Sequence, residues 1–179
     1  MCIRDSPHLE RSSRSTASTH VIPASPPVAE EDKTQMLLGV DASLTPQMQV
    51  VAPGEEDVAA VVRREMKRAR LQGYGTIVYV GATWCEPCER FKDALAEGRL
   101  DDTFRGIRFL DFDHDHYADE LRASGYGGRL VPLFAVPLPD GSASSVSHQG
   151  AVRGVGAVPF LVPKLKPLVE AALKPTLKR

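Results

Sequence analysis

Apolar and polar positions change period several times along this chain, and each change marks an element. In residues 55–73, EEDVAAVVRREMKRARLQG, the apolar Val58, Val61, Val62, Met66 and Ala69 recur at three- and four-residue steps. That spacing lines one face of a helix, with acidic residues leading, basic ones trailing and Gly73 as its stop. Residues 76–82, TIVYVGA, are rich in β-formers with little polar alternation, the pattern of a strand buried on both faces. CERFKDALAEG (88–98) returns to helical spacing, with Phe91, Ala94 and Leu95 inward and Gly98 closing it. IRFLDFD (107–113) predicts a second strand, and HYADELRASG (116–125) a short helix. LVPLFAVP (130–137) predicts a third strand, and Asp140-Gly141 a hairpin turn into SSVSHQG. Residues 162–173 put Leu165, Leu168, Val169 and Ala172 on one helical face, with Pro163 and Pro167 expected in or before the first turn.

Strands alternating with helices, then an antiparallel pair, predict an α/β domain with a central mixed β-sheet flanked by helices on both faces. Ahead of it, residues 7–35 are Ser, Thr, Pro, Ala and charge without apolar periodicity, which reads as a disordered linker. The opening MCIRDS back-translates as ATG-TGT-ATA-AGA-GAC-AGN, a match to a transposase mosaic-end sequencing adaptor. Residues 1–6, including Cys2, are therefore expected to be artefact and are left out of the fold. The domain is expected over 36–179.

Composition narrows the function classes. The chain has 179 residues with 22 basic and 23 acidic side chains, so charge makes no case for binding nucleic acid. Its longest apolar stretches, LVPLFAVPL and VPFLVP, are too short to span a membrane and are cut by prolines. Three cysteines cannot scaffold a small disulfide-rich fold, so stability must come from an apolar core.

The chemistry concentrates in VYVGATWCEPCERF (78–91), where Cys85 and Cys88 follow a buried strand and open a helix. A structural zinc site needs about four ligands, and only His114 and His116 offer themselves, at unusual spacing. Asp111, Asp113 and Asp115 alternate as in a calcium loop, but His116 stands where such a loop needs glycine and Arg122 where it needs glutamate. A strand end with a solvated acidic turn is the simpler reading. A disulfide across two intervening residues closes so small a loop that it stabilises little. Redox chemistry explains more. A cysteine at a helix N-terminus faces unpaired N–H groups and the positive end of the dipole, and such thiols titrate at about 3.5–7.5 instead of near 8.5. Cys85 is thus placed to attack, and Cys88, one turn on, to resolve the mixed disulfide. Pro87 fits the first helical turn. Glu86 and Glu89 flank the thiolate and disfavour its ionisation, which points to a reductant.

WCEPC behind a buried strand resembles the active site of the thioredoxin superfamily, over residues 49–173. The resemblance implies a thioredoxin-like fold and thiol–disulfide exchange, probed by protein dithiol or disulfide partners and needing no cofactor and no metal. It implies a cis-proline at Pro132 in RLVPLF, with Val131 before it, docking a substrate backbone, and Trp84 shielding the site. The family often has a buried acidic residue six positions before the first cysteine and threonine after the cis-proline; here these positions hold Tyr79 and Leu133. CEPC is similar to the motif of membrane-tethered, extracytoplasmic bacterial reductases, although the Glu-x-Pro that often follows in that group is absent. Together with the Ser/Thr/Pro-rich stretch, this sets the expectation of a monomeric periplasmic domain whose signal or membrane anchor lies upstream of Pro7. The alternative from another class is a redox-silent thioredoxin-fold module that binds or scaffolds a partner.

Overall fold

Strands β1 (Gln47–Val50), β2 (Gly75–Gly81), β3 (Ile107–Asp113), β4 (Leu133–Pro137) and β5 (Ala143–Gln149) lie side by side in the order β1-β3-β2-β4-β5. β1, β3 and β2 run parallel, while β4 is antiparallel to β2 and β5 to β4. Helices α1 (Val58–Leu71), α2 (Glu86–Ala96), α3 (Ala118–Ala123) and α4 (Ala157–Leu173) connect and cover the strands. The computed structural model describes residue 41, residues 43–52, residue 54 and residues 57–174. The expectations for residues 1–35, and for a domain start at residue 36, lie outside the described residues. No helix among the described residues is long and apolar enough to cross a membrane.

Side-chain alternation along each strand divides the interior into two cores. Ile77, Tyr79, Ile107, Phe109 and Phe134 face one way and meet Phe91 of α2 and Leu161 and Leu165 of α4. Val78, Val80, Leu110, Phe112 and Ala135 face the other way and meet Val58 and Val62 of α1 and Leu121 of α3. This is why β2 and β3 read as unbroken apolar runs: both of their faces are covered. On the first face Phe91 sits among Phe104, Phe109 and Phe134, with edge-to-face ring centroids 5.0–5.8 Å apart.

Three elements depart from the expected boundaries. β1 has no apolar run to announce it. It forms because Gln47 accepts from Arg108 Nε at 2.9 Å and Gln49 donates to Glu65 of α1 at 3.0 Å, pinning a polar edge strand beside β3. β4 begins at Leu133 instead of residue 130, since Pro132 has no N–H for the ladder and its bond to Val131 is cis. α4 begins at Ala157, ahead of the expected residue 162, which corrects the expectation for its prolines: Pro163 and Pro167 lie inside the helix. Pro159, Pro163 and Pro167 are four residues apart and all exposed, opposite the buried Leu161, Leu165 and Leu168. The carbonyls that two of them leave without an i+4 donor, those of Pro159 and Pro163, therefore face water.

Candidate active site

The sheet delivers the cysteine motif at the C-terminal end of β2, where the chain turns into α2. Cys85 is the N-cap of α2, and Pro87 stands in its first turn, where a missing N–H costs nothing. Cys85 and Cys88 are joined by a disulfide, with Cα atoms 5.2 Å apart. The Cys88 N–H points at Cys85 Sγ at 3.3 Å, which sets one donor of the positive helix start on that sulfur. Cys88 has no such donor at its own sulfur among the described hydrogen bonds, and it is 2% exposed against 5% for Cys85. Both sulfur-bearing residues are thus buried, Cys85 slightly less so.

Beneath the pair lies Tyr79, fully buried, with its ring stacked on Phe91 at 5.9 Å and its hydroxyl donating to the Cys88 carbonyl at 3.5 Å. Burial first, and the nearby Asp111 second, push this phenol far above its ordinary value, so it stays neutral. It places a hydroxyl, not a carboxylate, under the motif. The buried charge sits one strand over. Asp111 on β3 pairs with Lys92 of α2 at 2.6 Å, and the Lys92 ammonium lies 5.4 Å from the centre of the Tyr79 ring.

Glu86, between the cysteines, does not stand as a bare charge. Arg90, one turn along α2, pairs with its Oε1. The N–H of Gly154, 68 residues away in the 3-10 turn before α4, donates to both carboxylate oxygens at 3.2 and 3.1 Å. Hydrogen bonds from Arg90 and from Gly154 hold its carboxyl below the usual carboxylate range. Trp84 is 65% exposed and is anchored sideways: its Nε1 donates to Asp115 Oδ2 at 2.8 Å, and its ring meets His114 edge-on at 6.3 Å. Asp113 closes the same turn by accepting from the N–H groups of Asp115 and His116 at 2.9 and 3.1 Å. The acidic stretch considered for a metal is thus a capped turn that holds the tryptophan.

Val131 and Pro132 approach from the loop before β4. Their peptide bond is cis, Val131 packs against the apolar cluster that contains both cysteines, and the Pro132 carbonyl accepts from Gly150 at 2.8 Å. Cys85, Cys88 and Tyr79 thus belong to one apolar cluster against which Val131 packs, with the exposed Trp84 and the half-buried Glu86 beside the cysteines. Sequence reasoning missed Arg90, Lys92, Asp111 as an ion-pair partner, and Gly154. The Glu86–Arg90 pair was detectable as an i,i+4 spacing; the other contacts join segments with no local signal.

No protein-family model matches the chain, and no curated protein matches it. Among solved structures it is similar to thioredoxin f from spinach chloroplast, at 18% identity over 79% of this chain and 95% of the spinach chain, with a TM-score of 0.47. It is similar to a poplar thioredoxin h at 20% identity, over 72% of this chain and 98% of that one, with a TM-score of 0.47. Thioredoxin O1 from Arabidopsis thaliana in its oxidised state matches at 21% identity, over 72% and 99% of the two chains, with a TM-score of 0.44. Overlaps this partial carry nothing about function. The class follows from the chain itself: a mixed sheet in the order β1-β3-β2-β4-β5, two helices on each face and a Cys-x-x-Cys disulfide opening α2 make this a thioredoxin-like fold with a redox-capable cysteine pair.

Proposed function

We propose that the chain is a thiol–disulfide oxidoreductase acting on protein disulfides, and that it works as a reductant. The observation that carries the exchange chemistry is the asymmetry at the motif; the reducing direction rests on the acidic Glu86 and Glu89 beside it. Cys85 Sγ alone receives the Cys88 N–H at the helix start, which stabilises a thiolate there. In the reduced protein, the Cys85 thiolate attacks one sulfur of a client disulfide. A Cys85–client S–S bond forms, and the other client sulfur leaves as a thiolate. Cys88 then gives up its proton and attacks Cys85 Sγ, expelling the second client sulfur. The client gains two electrons, and the Cys85–Cys88 disulfide described above is the product. The electrons for the next cycle come from a partner dithiol. The backbone at Val131 and Pro132 is the proposed platform for the client strand, and Trp84 the wall beside it.

Single substitutions test the roles. Cys85→Ser is expected to abolish reduction of a protein disulfide, a loss of at least about a thousandfold. Cys88→Ser is expected to stop at a stable mixed disulfide through Cys85, visible by non-reducing mass spectrometry. Trapping by Cys85→Ser and not by Cys88→Ser would reverse the roles, and trapping by neither would support the redox-silent reading.

Placement outside the cytoplasm is part of the proposal. It is supported by the Ser/Thr/Pro-rich composition of residues 7–35 and by the likeness of CEPC to extracytoplasmic reductase motifs. The intact locus should then encode an apolar signal segment just upstream of Pro7, whereas an in-frame stop there with translation from Met36 would defeat it.

A further inference from the structure

Next to the motif the chain opens a cavity of about 410 Å³, within the size range of ligand clefts, about 300–1,000 Å³. Its floor is apolar, formed by the buried Val80, Leu121 and Leu133. Two of its lining residues also touch the surroundings of the redox site. Val131, which packs against the cluster of both cysteines, forms one wall, and His114, which holds the edge of Trp84, forms another. The loop on the far side is built close. A Cβ on Gly127 would meet the Arg122 backbone at 3.0 Å, and one on Gly128 would meet Leu133 Cδ1 at 2.5 Å. Gln149 of β5 accepts from the N–H groups of Arg129 and Leu130 at 3.0 and 3.3 Å, so the backbone of this wall is fixed.

The charge of the lining is one-sided. Arg122 and Arg129 line the cavity, and among the described residues no carboxylate does. Among the described residues the Arg129 guanidinium makes no hydrogen bond or ion pair. Among the described residues Arg122 is held by Asp119 alone, at 2.6 Å, in a pair so exposed that it contributes little. Glu86 turns elsewhere, to Arg90 and Gly154, while Asp115 is taken up by Trp84 and by His114 on the cavity wall. In a chain of net charge −1 this cationic rim is local.

We infer that the cavity is a client subsite selective for acidic segments: a protein strand that brings its cysteine to Cys85 seats an apolar side chain on the floor and a neighbouring Asp or Glu against Arg129 and Arg122. This rests on the thiol–disulfide exchange proposed above. Unlike an apolar docking face alone, it assigns a sign to the client, because a carboxylate here replaces solvent around a guanidinium that has no partner among the described residues, while a lysine meets repulsion.

The test uses peptides that are identical except for Glu, Gln or Lys at the positions flanking one cysteine. As disulfides offered to the reduced full chain, the Glu peptide is expected to react with a kcat/KM about tenfold above the Lys peptide at about 20 mM salt. That ratio should fall below about twofold at about 0.5 M salt and in Arg129→Gln, more so with Arg122→Gln added. An uncharged small disulfide, reduced by the unsubstituted chain, separates the two layers of the argument. If it too is not reduced, the exchange reading has failed. If it is reduced while Glu and Lys peptides react equally, or keep their ratio in Arg129→Gln, the subsite is overturned. Binding of the cysteine-free versions to the oxidised chain, followed by fluorescence of Trp84, its single tryptophan, gives the same comparison without chemistry. Tighter binding of the Glu peptide that Arg129→Gln removes supports the subsite, and equal binding of Glu and Lys peptides overturns it.

Discussion

At the scale of single residues, the site is governed by how each charge near Cys85 is matched. Glu86 alone would oppose a neighbouring thiolate, and that opposition underlies the expectation of a reductant. With Arg90 on one side and the Gly154 N–H on the other, much of its field is cancelled where it stands. Removing Arg90 is therefore the more informative change. Arg90→Ala is expected to raise the Cys85 pKa and slow its alkylation at neutral pH about two- to fivefold, while Arg90→Ala with Glu86→Gln restores the rate. Rates of iodoacetamide capture across pH give both numbers, and an unchanged rate in Arg90→Ala would mean that Glu86 does not act on the sulfur. Cys85, Cys88 and Pro87 were legible in the sequence because all lie within about one helical turn of each other; the Glu86–Arg90 pair, which was missed, was detectable by the same local spacing. The Lys92–Asp111 pair was not, since it needs α2 laid across β3 in one register.

At the scale of elements, turns and helix starts decide which faces meet. The Asp140-Gly141 hairpin was predicted from its dipeptide, but the structure gives Gly141 a second task. Its φ is +92°, and a Cβ there would stand 1.9 Å from the Ala59 carbonyl oxygen of α1. The turn is pressed onto that helix, and its carbonyl accepts from the buried Tyr126 hydroxyl at 2.8 Å. Gly141→Ala combines left-handed strain with a backbone clash, so a loss of about 2–4 kcal/mol is expected in urea unfolding. A loss below about 0.5 kcal/mol would show that the hairpin can lift off α1 freely. The prolines of α4 carry the opposite lesson. Their sequence positions argued for a late helix start, yet an exposed stripe at i,i+4 spacing lets the helix run through them because the unpaired carbonyls reach water.

At the scale of the whole molecule, the last hairpin and the last helix close the fold, and a titratable histidine stands at their contact. His148 on β5 packs on Phe160 of α4 with ring centroids 6.1 Å apart, and its Nε2 lies 3.1 Å from the Gly150 carbonyl. Burial first and the Lys164 ammonium of α4 further lower its pKa from the ordinary 6.5, while the Gly150 carbonyl partly offsets them. A lowered folded pKa means that the unfolded chain binds the proton first. The contribution of His148 to stability is therefore present above pH 6.5 and is lost as pH falls through the folded value. His148→Gln is expected to flatten the decline in stability measured by urea unfolding from pH 7 down to pH 5, and an unaltered slope would place the titration elsewhere. By itself the sequence determined the helices and central strands, through periodicities of 3.6 and 2, and the chemistry of the cysteine pair, through its place at a helix start. All of these depend on neighbours within a turn or a strand. Only the tertiary structure decided the polar edge strand β1, the Glu86–Gly154 link and the cationic cavity beside Val131. Each joins segments far apart in the chain, and such contacts exist only once two helices on each face of the sheet have set its register.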